Sequence, residues 1–243
     1  MNLKPTLMLR ISSTLIILLF CVMLGAQNDS IPNTVTDTTS IQQKYGLRLG
    51  ADIGKLGRSF LDDDYTGFEI IGDFRLTQKL YIAGEIGVEE KSTVTDYMDI
   101  TTSGSYLKAG IDYNMYENWL GMDNMIFAGF RVGASTFSHD LNSATVYTTN
   151  QYWSPQLTST EKLEFSGLTA FWAEILLGIK AELFNNLYMG LNVQLKILAS
   201  ETVPDNFGNV YIPGYHKNYD SSPIGVGYSY TLSYRIPFFK KDK

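Results

Sequence analysis

Between Tyr45 and Phe239 the chain falls into eight stretches in which alternate residues form an uncharged, mostly apolar face, while the residues between them are charged, small or polar. A period of two is the mark of a β-strand with unlike faces. The first stretch sets Leu47, Leu49, Ala51 and Ile53 against Arg48, Gly50 and Asp52; the second sets Phe68, Ile70, Gly72, Phe74 and Leu76 against Glu69, Ile71, Asp73 and Arg75. Leu80 to Val88 opposes Tyr81, Ala83 and Glu85, Leu107 to Tyr113 opposes Lys108, Gly110 and Asp112, and Ile126 to Ala134 opposes Phe127, Gly129, Arg131 and Gly133. The last three are longer: Phe171 to Ala181 against Trp172, Glu174, Lys180 and Glu182, Leu187 to Ile197 against Asn192, Gln194 and Lys196, and Val226 to Phe238 against Ser229, Thr231, Ser233 and Arg235.

Alternation does not say which face points outward, and a soluble periplasmic barrel of the lipocalin kind would show the same pattern. Three features favour a membrane barrel. The polar face carries Arg48, Arg75, Lys108, Arg131, Lys180, Lys196 and Arg235 against Asp52, Glu69, Asp73, Glu85, Asp112, Glu174 and Glu182. That balance suits a closed interior in which unpaired charge is costly. Connections alternate in length, with tight turns at Thr77 to Lys79 and Phe184 to Asn186 and long loops at 137–167 and 201–224, and aromatic residues such as Tyr45, Phe68, Phe74, Tyr113 and Tyr234 sit near strand ends. Short periplasmic turns, long external loops and aromatic girdles are features of outer-membrane barrels. The expected fold is therefore all-β, an eight-stranded antiparallel up-and-down transmembrane β-barrel over residues 45–239. Eight strands leave an interior that side chains fill, so a salt-bridged core is expected in place of a diffusion channel. The segment from Asn114 to Asn124, with Met115, Tyr116, Trp119, Leu120 and Met122, is expected at the inner interface.

Ahead of the strands, Lys4 and Arg10 precede an apolar run from Leu15 to Leu24, and Leu24-Gly25-Ala26 offers small residues for cleavage. Residues 1–26 read as a secretory signal peptide, 27–44 as a polar, disordered periplasmic leader and 240–243 as a basic tail. The single cysteine, Cys21, lies inside the apolar run behind bulky Phe20, which disfavours lipidation and leaves no disulfide framework. The formal charge of −6 becomes more negative once Lys4 and Arg10 are removed, and no basic cluster remains, which excludes a nucleic-acid footprint.

Catalytic chemistry has few candidates. His139, flanked by Ser138 and Asp140, lies just beyond the fifth stretch, and His216 lies in the last external loop near Tyr215 and Asp220. A nucleophilic mechanism needs an imidazole within hydrogen-bond reach of a hydroxyl and an orienting acid, whereas neighbours on a strand point to opposite faces. Asp62, Asp63 and Asp64 lack the alternating spacing and turn glycine of a calcium loop and read as a solvated loop tip, so no metal or cofactor is expected. In the third external connection, Tyr147, Tyr152, Trp153 and Phe165 among Thr, Ser and Asn offer rings for sugars or a partner, while Val146 and its neighbours suit a hairpin extension. The fourth loop, with Pro204, Gly208, Pro213, Gly214 and Pro223, is expected to fold over the mouth.

The segments GRSFLDDDYTGFEIIGDFRL, DYNMYENWLGMDNMIFAGFR, the NNLYMG turn and YIPGYHKNYDSSPIGVGYSYTLSYRIP resemble an uncharacterised group of Bacteroidota outer-membrane proteins classed as a domain of unknown function. That resemblance implies a membrane barrel and brings no activity or catalytic residue. The architecture is also similar to the small OmpA and OmpX type barrels, which commonly end on an aromatic residue, whereas here Phe238-Phe239 is followed by Lys240-Lys241-Asp242-Lys243. The expected role is in envelope structure or surface interaction through the external loops of a monomer, its partners being outer-membrane lipids, lipopolysaccharide and the barrel-assembly machinery. Alternatives are an enzyme acting on lipid A or phospholipid acyl chains through a rim histidine, a narrow channel, and the soluble lipocalin-like barrel.

Overall fold

In the computed structural model, which describes residues 42–116, 123–145, 158–204, 208–217 and 222–242, the chain runs β1 (Gln42–Asp52), α1 (Ile53–Leu61), β2 (Tyr65–Arg75), β3 (Leu80–Val94), β4 (Met98–Asn114), β5 (Met125–Thr145), β6 (Thr158–Ser159), β7 (Leu163–Phe184), β8 (Leu187–Glu201), β9 (Tyr211–Ile212), β10 (His216–Lys217) and β11 (Ile224–Asp242). Eight long strands pair antiparallel in chain order, and β1 pairs with β11 from Gln42↔Asp242 to Asp52↔Thr231 to close the ring. The two-residue β6 extends the edge of β5, and β9 pairs only with β10.

The apolar face points out. Ile86, Leu107, Val132 and Leu177 are each more than half exposed, while Arg48, Lys108, Arg131 and Glu174 are exposed by 3% or less. This is the reverse of a barrel built for water, and it overturns the lipocalin-like alternative. All the charged residues of the polar face line the interior, with Glu182 alone partly exposed. All but Asp52 pair as rungs of a ladder. Asp123 takes Arg75 at 3.3 Å and also Arg235, which reaches Glu182 at 3.4 Å. Asp73 takes Arg48 and Lys180 at 2.6 Å each. Arg131 joins Asp112 at 2.8 Å to Glu85 at 3.3 Å, and Lys108 joins Glu85 at 2.6 Å to Glu69 at 3.5 Å. Lys196 meets Glu174 at 3.7 Å. A void between Asp73, Glu85, Asp112, Arg131 and Lys180 measures about 20 Å³, room for about one water molecule.

The strands continue past the alternation seen in the sequence because their polarity inverts. On β5 the outward series runs Ile126, Ala128, Phe130, Val132 and Ala134, then becomes Thr136, Ser138 and Asp140, while the inward series passes from Arg131 to Phe137 and buried His139. The change falls at one level on three adjacent strands. Leu107, Ala134 and Phe171 are register partners, and the outward residues beyond them on β4, β5 and β7 are Ser105, Thr136 and Thr169. Below that level the barrel is apolar outside and charged inside; above it, the exterior becomes polar and an apolar cluster joins buried polar groups such as Glu89 and His139 inside. The second external connection therefore shrinks to residues 95–97 and the third to 146–162, and His139 and Phe165 lie within strands, not in a loop.

The first connection holds a helix in place of the expected loop. Asp52 ends β1 as the N-cap of α1, its Oδ1 accepting from the N–H groups of Gly54 at 2.8 Å and Lys55 at 3.2 Å. Ile53 is thus the first helical residue and not the last of a strand. Ile53, Leu56, Phe60 and Leu61 recur at helical spacing on one side, and Lys55, Arg58, Ser59 and Asp62 on the other. Arg58 bonds Asp62 at the C-terminal end at 3.0 Å. At nine residues α1 is too short to cross a membrane.

Candidate functional site

Above the polarity inversion the mouth of the barrel is stoppered by its own chain. In the fourth connection, Ile212 and Tyr215 enter a buried cluster with Tyr106, Phe137, Leu168 and Trp172. The Tyr215 ring meets Trp172 edge-on at 6.1 Å, and its hydroxyl donates to the Pro223 carbonyl at 2.8 Å. Gly214 makes the close approach possible: its φ is +80°, and a Cβ there would stand 2.5 Å from Cγ of Tyr106. Lys196 donates to the Gly214 carbonyl at 2.6 Å, and Asn209 donates to Glu201 at 2.6 Å and to the Thr202 carbonyl at 2.9 Å.

His139 helps hold this stopper. Because the Asn209 amide nitrogen faces two acceptors, its oxygen faces the imidazole, so Nε2 of His139 donates to it at 2.9 Å and Nδ1 accepts from the Thr102 hydroxyl at 2.7 Å. The ring is neutral in that arrangement, and burial pushes its pKa down. Ser138 and Asp140 do not join it: they leave the other face of β5, and the Ser138 hydroxyl lies 3.3 Å from that of Ser103. The three residues adjacent in sequence form no catalytic constellation.

The polar centre of the mouth is Glu89, which the sequence pattern did not single out. Its carboxylate meets Lys55 at 2.7 Å and accepts from Tyr65 at 3.1 Å, Tyr211 at 2.8 Å and the Gly214 N–H at 2.9 Å. Nε2 of His216 stands 3.6 Å away. Lys55 also bonds Glu69 at 2.8 Å and the Tyr106 hydroxyl, which itself donates to Glu69 at 2.5 Å. One carboxylate thus ties α1, β2, β3, β9 and the turn before β10 together. His216 sits at φ +85° and stacks on Tyr211 with ring centres 6.2 Å apart.

Burial and the nearby ammonium of Lys196 lower the pKa of His216 to about 4, against the pull of Glu89; Lys55 adds to the lowering. An unfolded histidine takes up a proton near pH ~6.5, whereas the docked one stays neutral until about pH 4. Docking of the stopper is therefore at full strength above pH ~6.5 and weakens as pH falls from there toward 4. Hydrogen exchange of amides 208–217, corrected for intrinsic rates, should rise over that window, and His216→Gln should reduce the rise; a flat profile in the native chain would contradict the assignment.

The remaining candidates divide. Asp52 is the helix cap and no rung of the ladder. Asp62 pairs with Arg58 and, at 3.4 Å, with Lys91, and the hydrogen bond from Arg58 lowers its pKa. Its carboxylate is already committed, and among the described residues no group of three metal-ligating side chains assembles. Phe165 packs against the apolar cluster of the mouth. Tyr147, Tyr152, Trp153 and Asp220 lie outside the described residues. Beside the Glu89 centre is a cavity of about 600 Å³ whose polar wall includes Lys55, Arg58, Tyr65 and His216.

A family model matches residues 6–241 of the sequence. The chain belongs to the domain of unknown function family DUF6048. No curated protein sequence matches this DUF6048 chain. Among solved structures it is similar to Ail, the attachment invasion locus protein of Yersinia pestis, with 6% identity and a TM-score of 0.38 over 79% of this chain and 97% of Ail.

Proposed function

We propose that this DUF6048 protein is exported, loses residues 1–26, and is inserted by the barrel-assembly machinery as a monomer in the outer membrane of a Gram-negative bacterium of the Bacteroidota. There it serves envelope structure or surface interaction through its external rim, in contact with outer-membrane lipids and lipopolysaccharide. The observation that carries this reading is the shared level at which polarity inverts on β4, β5 and β7, at Leu107, Ala134 and Phe171. An apolar belt over a charged interior belongs in lipid, and a polar exterior over an apolar interior belongs in water. The end bearing α1 and the stopper is therefore the end outside the membrane. With the interior paired and the mouth filled, the chemistry offered to the outside is that of the rim and its connections, and conduction is not expected.

Orientation supplies the test. An epitope inserted after Glu161, between β6 and β7, should bind antibody on intact cells, and one inserted between Asn185 and Asn186, in the turn joining β7 to β8, should bind only after the outer membrane is permeabilised. The opposite pattern would reverse the barrel, and failure of both tags on intact cells, with both bound after permeabilisation, would remove the surface role.

A further inference from the structure

The wall of the barrel is interrupted on its outer side. The pairing of β1 with β11 ends at Asp52↔Thr231, and its pairing with β2 ends at Ala51↔Ile70. Beyond those points Ile224 to Tyr230 keep only β8 as a ladder partner, and Tyr65 to Glu69 keep only β3. Helix α1 packs against both bare strands in place of the missing one. It completes the β2 edge through Ser59, whose hydroxyl accepts from the Gly67 N–H at 2.8 Å. On the β11 side, Gly54 lies close enough to Tyr230 that a Cβ would stand 3.2 Å from its ring.

The cavity of about 600 Å³ lies at this interruption, and its lining changes character across the wall. Ile175, Leu177, Val193, Leu195, Val226 and Tyr228 come from the outward faces of β7, β8 and β11. Asp52, Lys55, Arg58, Tyr65, Gln194 and His216 come from the inward side and the helix. A closed wall would separate these two sets. The cavity falls in the ~300–1,000 Å³ range of small-ligand sites, and an apolar trough in the belt running up to polar groups matches an amphiphile.

We propose that this lateral cavity binds one phospholipid, with an acyl chain along the β7, β8 and β11 trough and its phosphate at Arg58. Arg58 is the exposed cation of the lining, its side chain 41% accessible. Its Nε and Nη2 donate to Asp62 at 3.1 and 3.0 Å, which leaves the Nη1 amino group outside that pair. Stacking on Tyr65, with the guanidinium carbon 4.0 Å from the ring centre, holds it in place. Lys55 is neutralised by Glu69 and Glu89 and contributes position more than charge. Asp52 lies at the base with only its Oδ1 used by the helix cap, and its carboxylate repels an anion, so the anionic head meets Arg58 at the rim.

This inference rests on the membrane reading, and the test separates the two. The full chain is folded in detergent micelles, its closed barrel verified by faster migration on an unboiled gel, and lipid retention is read by native mass spectrometry with phosphatidylglycerol and with diacylglycerol of the same chains. The native chain should retain one phosphatidylglycerol. Val226→Trp, which fills the trough, and Arg58→Gln, which removes the cation, should each lower retention tenfold or more, as should replacing phosphatidylglycerol by diacylglycerol. Ile82→Trp, on the belt of β3 away from the cavity, should retain it as the native chain does. Equal retention by all variants would mean belt-wide lipid contact, and equal retention of diacylglycerol would remove the phosphate contact. No retention by folded protein would overturn the site while leaving the barrel intact; failure of the native chain to close in micelles would instead sink the membrane reading. If Arg58→Gln does not fold, Val226→Trp decides, since Val226 is 75% exposed and tolerates a larger side chain.

Discussion

Replacing Glu89 by glutamine is expected to destabilise the folded barrel by about 3–5 kcal/mol, the usual cost of removing one partner from a buried ion pair. Four donors surround this carboxylate: Lys55 and the Tyr65 hydroxyl at one oxygen, the Tyr211 hydroxyl and the Gly214 N–H at the other. A carboxylate only accepts, so it satisfies both sides. A glutamine must turn its NH₂ toward one of them and set donor against donor, while Lys55 loses one of its two counter-charges. Glu90→Gln is the control, because the neighbouring side chain leaves the other face of β3 and is exposed. It should change stability by less than ~0.5 kcal/mol. Urea unfolding from lipid vesicles, followed by tryptophan fluorescence, measures both. Because Glu89 also anchors the stopper, Glu89→Gln should speed proteolysis within residues 208–217. Equal effects of the two substitutions would show that Glu89 is not the tie between helix, wall and stopper.

The ring of strands was legible because a bilayer on one side and paired charge on the other impose opposite chemistry on alternate residues. Where that contrast weakens, the sequence pattern fades. After Val88 the outward position is Glu90, so the apolar alternation of the third stretch ends one residue before Glu89, the most connected side chain of the mouth. Beyond Ala134 the polarity inverts, which hid the inward alternation of Ser135, Phe137 and His139 inside what looked like a loop. Asp123 lies outside the strand alternation, in the connection after β4, though it receives both Arg75 and Arg235.

Helix α1 is masked in the sequence for a different reason. Its nine residues include Gly54 and Gly57, and the acidic triplet that follows drew the segment toward a solvated loop. The signal was present nonetheless: a capping Asp52, apolar Ile53, Leu56 and Phe60 at helical spacing, and Lys55, Arg58 and Ser59 on the opposite side. Alternation at Asp52 and Ile53 has the period of a continuing strand, while the side chain of Asp52 accepts from the next turn of backbone and ends it. The cavity beside α1 could not be read from the sequence, because it depends on where the β1 ladder stops.

The position of the bilayer against the wall is decided by one comparison. Ala109 faces outward on β4, between Tyr113 at the inner end of the belt and Ser105 beyond its outer edge, whereas Thr101 faces outward above the inversion. Arginine is placed at each, and the folding free energy into phospholipid vesicles is measured by reversible urea titration. Ala109→Arg should cost about 2–4 kcal/mol, the range for a cation near the bilayer midplane, and Thr101→Arg about 0–1 kcal/mol. Equal costs at the two sites, or a native chain that folds without lipid or detergent, would contradict an apolar outer face built for a membrane.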